Sequence, residues 1–568
     1  MSKPEIKSEE PTLNPPQSPP RRHQTTPPPK PAKPANAWVL AWIAAVVGLL
    51  VYGNSIANQY ALDDNVVITD NPHVQKGLAG IPKILTTDSF DTGLNAENTE
   101  AAAGGRYRPL SLVSFAVDLA IARTLGFTER KTAAFQHAVN VGLFALSLML
   151  MVFLIRHLFP GSTLIPLGAA LLFAVHPVHA EVVANIKSRD EILSLLLLLA
   201  ALLVSLRLAR VRSTLRYGLL AVLVFLALLA KEYSLGAIIL IPITTFLVAG
   251  WNRGRFSREV VAVGIAIAAY IGLRVAAVGL SGATADDPLN APFAGVPWLK
   301  AFATQCAVLG KSMVYTVFPH PLSSNHGYQV IPFRSFAHPL VWAGALAHVV
   351  ALAIAFWLTF KRRPLAFAFW FYLLTLFPVS NILVDVGVPF AERFLYHASL
   401  GSCILIAWLL ARTHIRSGAR KLAVGALALV LFAGAARTIL RNPQWNTSRS
   451  LVLADVESTP RSVFLQYHAG VMHYTADRYD KAIAAFDACT ELYPTYGEPY
   501  PKRCLAHAKA GNFEAAVADF KIASQILFPE EIASYKTFLK DRIGKATPRT
   551  PDEGDLLEKL LRDVDKIE

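Results

Sequence analysis

Residues 37–65 read AWVLAWIAAVVGLLVYGNSIANQYALDDN. The run from Ala37 to Ile56 has the length and apolar character of a helix that crosses a bilayer, which takes about 20 residues. Two adjacent carboxylates, Asp63 and Asp64, follow where such a helix would leave the lipid. Ionisable chemistry is thereby placed at a membrane surface, where charges are costly and point to function.

Working outward, the same apolar pattern recurs. The chain of 568 residues is 53% hydrophobic and 17% charged, with a mean hydropathy of +0.40, far above what a soluble fold of this size needs. Further spans are expected at 138–155, 164–178, 192–208, 217–229, 235–249, 260–280, 340–360, 365–383, 395–411 and 422–436, about eleven in all. The expected class is an all-α polytopic membrane protein. Orientation follows from short basic segments, since Lys and Arg collect on the cytoplasmic side. Arg21, Arg22, Lys30 and Lys33 precede the first span, and Arg207/Arg210/Arg212/Arg216, Arg253/Arg255/Arg258, Lys361/Arg362/Arg363 and Arg412/Arg416/Arg420/Lys421 then fall on the same side. This agreement requires that 299–318, interrupted by Gln305 and Lys311, lies at the interface or re-enters without crossing. The cytoplasmic basic segments account for most of the +14 net charge. A nucleic-acid partner is not expected, because no basic face with interleaved aromatics occurs.

Residues 1–36 form a Pro-rich tail too polar to fold, with no cleavage pattern behind the first span. The membrane unit is expected at 37–441, with a first outer loop at 57–134, followed by a linker at 442–460 and a soluble helical unit at 461–568. In that last unit two segments superimpose at a shift of about 34 residues, the period of tetratricopeptide helix pairs. Tyr479 aligns with Phe513, Ala482 with Ala516, Phe486 with Phe520 and His473 with His507, and Pro494 and Pro529 close the units. Leu556, Leu557, Leu560 and Leu561 mark capping helices in 532–567. Cys489 and Cys504 either pair in an oxidising compartment or are buried thiols of the repeat.

One set of charges lies against the inside rule: Arg106, Arg108, Lys187, Arg189, Lys231, Arg274, Lys311 and Arg393, with Asp63, Asp64, Asp190, Glu191, Glu232 and Glu392 among them. A lipid-linked phosphate held by the cations, with a carboxylate handling a proton nearby, uses all of them. Local pairs such as Lys231 with Glu232, or Glu392 with Arg393, are the structural alternative for any one residue. His176 and His179, with Glu181 close by, suggest either a metal or hydrogen-bonded packing, and packing is the simpler expectation.

Taken together, the motifs are specific. They run Leu62-Asp63-Asp64-Asn65, Asn71-Pro72-His73, Tyr107-Arg108-Pro109-Leu110, His137-Ala138-Val139-Asn140, Phe173 to Glu181 (FAVHPVHAE), Ser188-Arg189-Asp190-Glu191, Lys231-Glu232 and Ala391-Glu392-Arg393-Phe394-Leu395-Tyr396. In this order, with repeats behind, the chain resembles the transmembrane and tetratricopeptide-repeat (TMTC-like) O-mannosyltransferases of the GT-C glycosyltransferase superfamily. The resemblance implies transfer of a hexose such as mannose from a polyprenyl-phosphate carrier to an acceptor hydroxyl, on protein, at the periplasmic or lumenal face. It implies catalytic roles for Asp63 and Asp64 in an inverting reaction, with either Asp as the base. Arg189, Lys231 and Arg393, then Lys187, Arg274 and Lys311, are expected to bind the donor phosphate. Arg108, His176, His179, Glu181, Glu191, Glu232 and Glu392 are expected to support them. The mannosyltransferase branch resembles the metal-free type, so no metal or cofactor is expected. A bacterial inner membrane, with the repeats outside, is the expected setting. The alternatives are a non-catalytic envelope scaffold that recruits a partner through its repeats, and a lipid-carrier flippase, which the lack of inverted broken helices disfavours.

Overall fold

The computed structural model describes residues 2, 35–90, 105–211, 213–279, 288–383, 385–413, 419–548 and 550–567. The Pro-rich tail and the orienting positions Arg21, Arg22, Lys30, Lys33, Arg212 and Arg416 lie outside them. The regular elements among the described residues are all helices. Those of the membrane unit are α1 (Ala37–Tyr52), α2 (Pro109–Thr124), α3 (Glu129–Leu158), α4 (Leu164–Ala174), α5 (Arg189–Leu208), α6 (Thr214–Ala230) and α7 (Ala237–Ala249), then α8 (Arg253–Val278), α9 (Trp298–Tyr315), α10 (Pro339–Phe360), α11 (Ala366–Leu376), α12 (Leu395–Thr413) and α13 (Ala419–Arg441), with shorter turns between.

Eight helices are long and apolar enough to cross a membrane, and the bent pair Leu164–Ala174 and Pro177–Val183 makes a ninth if it is one span. Two shorter apolar helices, Thr214–Ala230 and Ala366–Val379, fall where sequence places further spans but are not long enough to count among these, so the described residues give eight or nine of the eleven expected. Large apolar side chains face outward on α8, α10 and α13, among them Ile265, Leu346, Phe360, Leu429 and Phe432. A surface of that kind is covered by lipid, and the protein is a multi-pass membrane protein. Inside the bundle a continuous core joins α1, α3, α4, α5, α11 and α12 around Phe144, Phe173, Phe367, Phe371 and Tyr396.

Local chemistry sets the helix ends. The Asn36 side chain accepts the Trp38 N–H (3.0 Å) to start α1, and Asn252 caps α8 by accepting the Arg255 N–H (2.9 Å). Asn71 caps the short Pro72–Gln75 turn through the His73 and Val74 N–H groups, which explains the Asn-Pro-His motif. Pro109 opens α2, where a missing N–H costs nothing. Helix α9 is not among the candidate spans, in keeping with an interfacial reading, and it buries Thr304, Gln305 and Ser312. It lies against α10 at Gly310 and Gly344, where a Cβ on Gly344 would overlap the Cys306 carbonyl. Segment 57–134 builds a small core from Val67, Ile68, Val74, Ile84, Leu112 and Phe115, completed by Ile186.

Beyond α13 the stretch expected as a linker is a 3-10 turn (Asn442–Asn446) and a helix, α14 (Ser448–Ser458), started by a Thr447/Ser450 capping box. Two helix pairs follow, α15 (Val463–Tyr474) with α16 (Tyr479–Leu492) and α17 (Pro499–Ala510) with α18 (Phe513–Ala523), then α19 (Pro529–Gly544) and α20 (Pro551–Lys566). The aligned positions have matching roles, with Ala482, Ala516, Phe486 and Phe520 all fully buried. Arg503 ties the pairs together by bonding Asp487 and Asp519, each at 2.7 Å. Cys489 and Cys504 are free, buried thiols, so packing rather than pairing is their role.

Because all four cysteines are buried and free, a single added thiol reports topology. Ser335→Cys, at an exposed position between α9 and α10, is expected to react with an impermeant thiol reagent from the non-cytoplasmic side of intact cells. Labelling only after permeabilisation would overturn the orientation.

Candidate active site

The two aspartates have different environments. Asp64 is fully buried. Its Oδ2 accepts the Ala61 N–H (2.9 Å) and its Oδ1 accepts the Lys187 N–H (2.7 Å), so the carboxylate joins the loop after α1 to the segment before α5. Burial pushes its pKa up to about 7 against the pull of those two N–H groups, and the neighbouring Asp63 adds to the rise. The Asp63 side chain is 47% exposed, with Oδ2 3.4 Å from Lys187 Nζ. Although burial acts to raise its pKa, Lys187, Arg393 and Arg106 together hold it below the usual carboxylate range. One carboxyl is thus a buried tether and the other a partly open, ionised group, a division typical of paired acids.

Cations surround Asp63. Burial outweighs Asp190 and Asp63 at Lys187 and brings its pKa down to about 8, with Arg393 and Lys231 adding to the fall. The Arg106 guanidinium lies 4.7 Å from the centroid of the Phe90 ring, and Lys187 Nζ lies 5.8 Å from the same centroid. Arg106 forms no ion pair among the described residues. Arg393 donates through Nη1 to Glu181 Oε1 (2.5 Å) and through its backbone N–H to Glu181 Oε2 (2.9 Å), while its side chain keeps 24% exposure. Arg108, the residue before Pro109, reaches Asp190 (2.9 Å) and Glu232 (3.1 Å). Behind it Lys231 is buried against Asp190 (3.3 Å) and Glu191 (2.5 Å). The alternative of pairing between sequence neighbours does not occur, although ion pairing itself does. Lys231 turns to α5 rather than to Glu232, and Arg393 turns to Glu181 rather than to Glu392, because adjacent residues point apart at these helix ends.

Several expected phosphate ligands are committed elsewhere. Arg189 is fully buried. Its Nη1 binds Asp118 (2.6 Å) and Ser114 (3.2 Å), its Nε donates to Asn140 (2.6 Å) and its Nη2 to the Gln136 carbonyl (3.0 Å). That set fastens α2 and α3 to α5 and leaves no open face for a ligand. Asn140 also donates to the Asn185 and Ile186 carbonyls (3.1 and 3.3 Å), which accounts for the His-Ala-Val-Asn motif as a brace for the Lys187 segment. Lys231 is likewise internal. Arg274 donates to the Gly105 (3.0 Å) and Gly279 (3.4 Å) carbonyls. Lys311 lies over Phe390 and Tyr315, away from Asp63, and burial lowers its pKa to about 8 against the pull of Glu392. Glu392 is buried, accepting the Ser323 N–H (2.5 Å) with His326 3.7 Å away.

His179 uses both ring nitrogens, on the Phe173 carbonyl (2.9 Å) and Ser399 Oγ (2.8 Å), and His176 bonds the Thr316 carbonyl (3.1 Å), so both pack. The residues closest to Asp63 are therefore Lys187, Arg106 and Arg393, with Arg108, Asp190 and Glu232 behind. Sequence reasoning gave Lys187 second rank and Arg106 no assigned role. It missed Phe90, Asp118, Tyr233 and His397, the last two buried around Glu191 and Lys231. A buried Asp on the amphipathic α2 was the available signal for Asp118; an isolated phenylalanine carries none.

No protein-family model matches the chain. Among curated proteins it is similar to Protein O-mannosyl-transferase F38B6.6 of Caenorhabditis elegans, 24% identical over 442 residues, which takes in 75% of this chain and 58% of that protein. It is also similar to Protein O-mannosyl-transferase TMTC1 of Homo sapiens (26% identical, 80% of this chain, 55% of that protein) and to TMTC4 of Homo sapiens (24% identical, 76% and 63%). The chain is TMTC-like along most of its length, and it spans 55–63% of the length of these relatives.

The geometry separates structural from reactive cations. Arg189→Ala leaves Asp118 buried and unpaired and is expected to cost about 3–5 kcal/mol of stability, read as a fall in melting temperature in detergent. Lys187→Gln, whose ion-pair partner Asp63 is half exposed and can be solvated alone, is expected to melt close to wild type.

Proposed function

We propose that this protein is a membrane glycosyltransferase that moves a hexose, mannose by likeness to its relatives, from a polyprenyl-phosphate carrier to a hydroxyl of a protein acceptor. The reaction takes place at the non-cytoplasmic face. The observation that carries the reading is the half-open Asp63 carboxylate among Lys187, Arg106 and Arg393 at one end of a membrane helix bundle. Similarity to proteins named protein O-mannosyl-transferases supports the reaction class.

In this reading the acceptor oxygen attacks the anomeric carbon from the face opposite the phosphate, with inversion. The new C–O bond forms as the bond to the carrier phosphate breaks, and the phosphate leaves with the electron pair. Asp63 takes the hydroxyl proton. A carboxylate this acidic is a weak base, which suits an oxocarbenium-like transition state in which the attacking hydroxyl becomes acidic late. Lys187, Arg106 and the exposed edge of Arg393 stabilise the charge that gathers on the leaving phosphate, in a setting of low dielectric where fixed charges act strongly. Arg108, Asp190, Glu232, Lys231, Glu191 and Glu181 hold these cations in place. Asp64 orients the loop. The repeats present the protein acceptor, and the setting is a cell envelope membrane with the repeats outside.

Asp63→Asn is expected to keep the wild-type melting temperature while lowering transfer from polyprenyl-phosphate mannose by about 10²–10⁴-fold. Full activity in this variant would remove Asp63 as the base, and no transfer by the wild-type protein would favour the scaffold reading. Lys187 carries its charge below about pH 8 and loses it above, so donor use should fall as pH rises through that value. Lys187→Arg should move this alkaline limb to higher pH in a kcat/KM profile. Because side chains carry the charge stabilisation, chelation with EDTA is expected to leave the rate unchanged. A loss restored by magnesium or manganese would put a cation in the site.

A further inference from the structure

Leu62, the residue immediately before Asp63, has φ +49°. This left-handed backbone is costly for a branched side chain and persists only where surrounding contacts over-determine it. Those contacts come from the segment that follows the membrane bundle. The Leu62 N–H donates to Ser448 Oγ (2.9 Å) at the start of α14, and the Gln59 N–H donates to the Asn446 carbonyl (3.0 Å). The Leu62 side chain packs against two apolar clusters, one containing Trp445 and Leu451, the other Val452 and Leu465 of α14 and α15.

The same helix reaches the opposite rim of the site. Asp455 of α14 is held by Arg441 (2.5 Å) and accepts the Ser324 N–H (2.6 Å). The neighbouring Ser323 N–H bonds Glu392, which precedes Arg393. One short helix therefore touches the residue before the aspartate and, through two residues, the segment that carries a flanking cation.

We propose that the segment joining the membrane bundle to the helical repeats, α14 above all, is a working part of the active site, and that Leu62 and Ser448 are positioning residues that aim the Asp63 carboxylate at Lys187. The inference rests on the reading of Asp63 as the base. Releasing Leu62 lets the loop relax toward an ordinary backbone conformation, and Asp63 swings away from its cation. Transfer then slows while the donor is still gripped by Lys187, Arg106 and Arg393.

The test uses the full chain in lipid nanodiscs, with polyprenyl-phosphate mannose as donor and a serine- and threonine-rich peptide as acceptor. Ser448→Ala and Leu62→Ala are expected to lower kcat by about 10–10²-fold, the scale of a displacement near 1 Å, with donor KM unchanged and with Leu62→Met restoring the rate. The acid limb of the profile should move to higher pH, since Lys187 no longer holds the carboxylate down; general loosening of the fold would not produce that shift. Wild-type kcat and an unmoved limb in both variants, with Asp63→Asn inactive, overturn the inference and leave the function reading standing. An active Asp63→Asn overturns the assignment of Asp63 as the base instead. A second arm needs no turnover. In an Asp63→Cys background the introduced thiol, activated by Lys187, should react with a methanethiosulfonate reagent, and adding Ser448→Ala should slow that reaction severalfold. An unchanged labelling rate overturns the inference whatever donor the protein uses.

Discussion

The Asp64 carboxylate bridges two backbone N–H groups, those of Ala61 and Lys187, which lie on segments far apart in the chain. No secondary structure links these segments. Once they are joined, Asp63 and Lys187 come within ion-pair distance. A buried carboxylate is expensive unless its oxygens are hydrogen-bonded, and here each oxygen has a backbone donor. The two donors offset part of the cost of burial, and only this arrangement of loops supplies both, which makes the tether selective for the geometry that the site requires.

Around this tether the charges sort by partner. Arg189 is closed off by Asp118 and Asn140. Arg108, Asp190, Lys231 and Glu191 link α2, α5 and α6. Asp63, Lys187, Arg106 and Arg393 form the third group. The closed groups neutralise one another in surroundings where an unpaired charge would be severely penalised. In the third group three cations act on one half-exposed carboxylate, Asp63, with Asp190 and Glu181 behind Lys187 and Arg393. The same residue types thus serve opposite ends, and their partners decide which.

The helical unit that follows the membrane bundle is joined to it by more than the chain connection. Asn442 donates to the Val51 carbonyl (2.9 Å) and to Asn54 (2.8 Å), Ser458 donates to the Leu322 carbonyl (3.0 Å), and Tyr328 packs on Tyr493. These contacts lie at the end of the bundle that holds the aspartates. Segment 442–460 read as a linker because it lacks the long apolar runs on one side and the repeat period on the other; its structure comes from contacts to both units.

The sequence by itself determined the membrane character, the positions of the apolar helices and the repeat pairs, because span length and helix-pair period are local patterns set by lipid thickness and by stacking. It also determined that Asp63 and Asp64 stand beside a set of exceptional cations, since ionisable residues at span ends are visible one by one. Only the tertiary structure decided their tasks. Arg189 and Lys231 ranked ahead of Lys187 in sequence, yet their partners on α2, α3 and α5 come from distant segments, and burial followed from those partners. The two aspartates, identical in sequence context, separated because one meets two backbone donors inside the fold and the other faces Lys187 at the open edge. Hydrogen bonds between remote segments have no periodicity to read, so that part of the site exists only once the chain has folded.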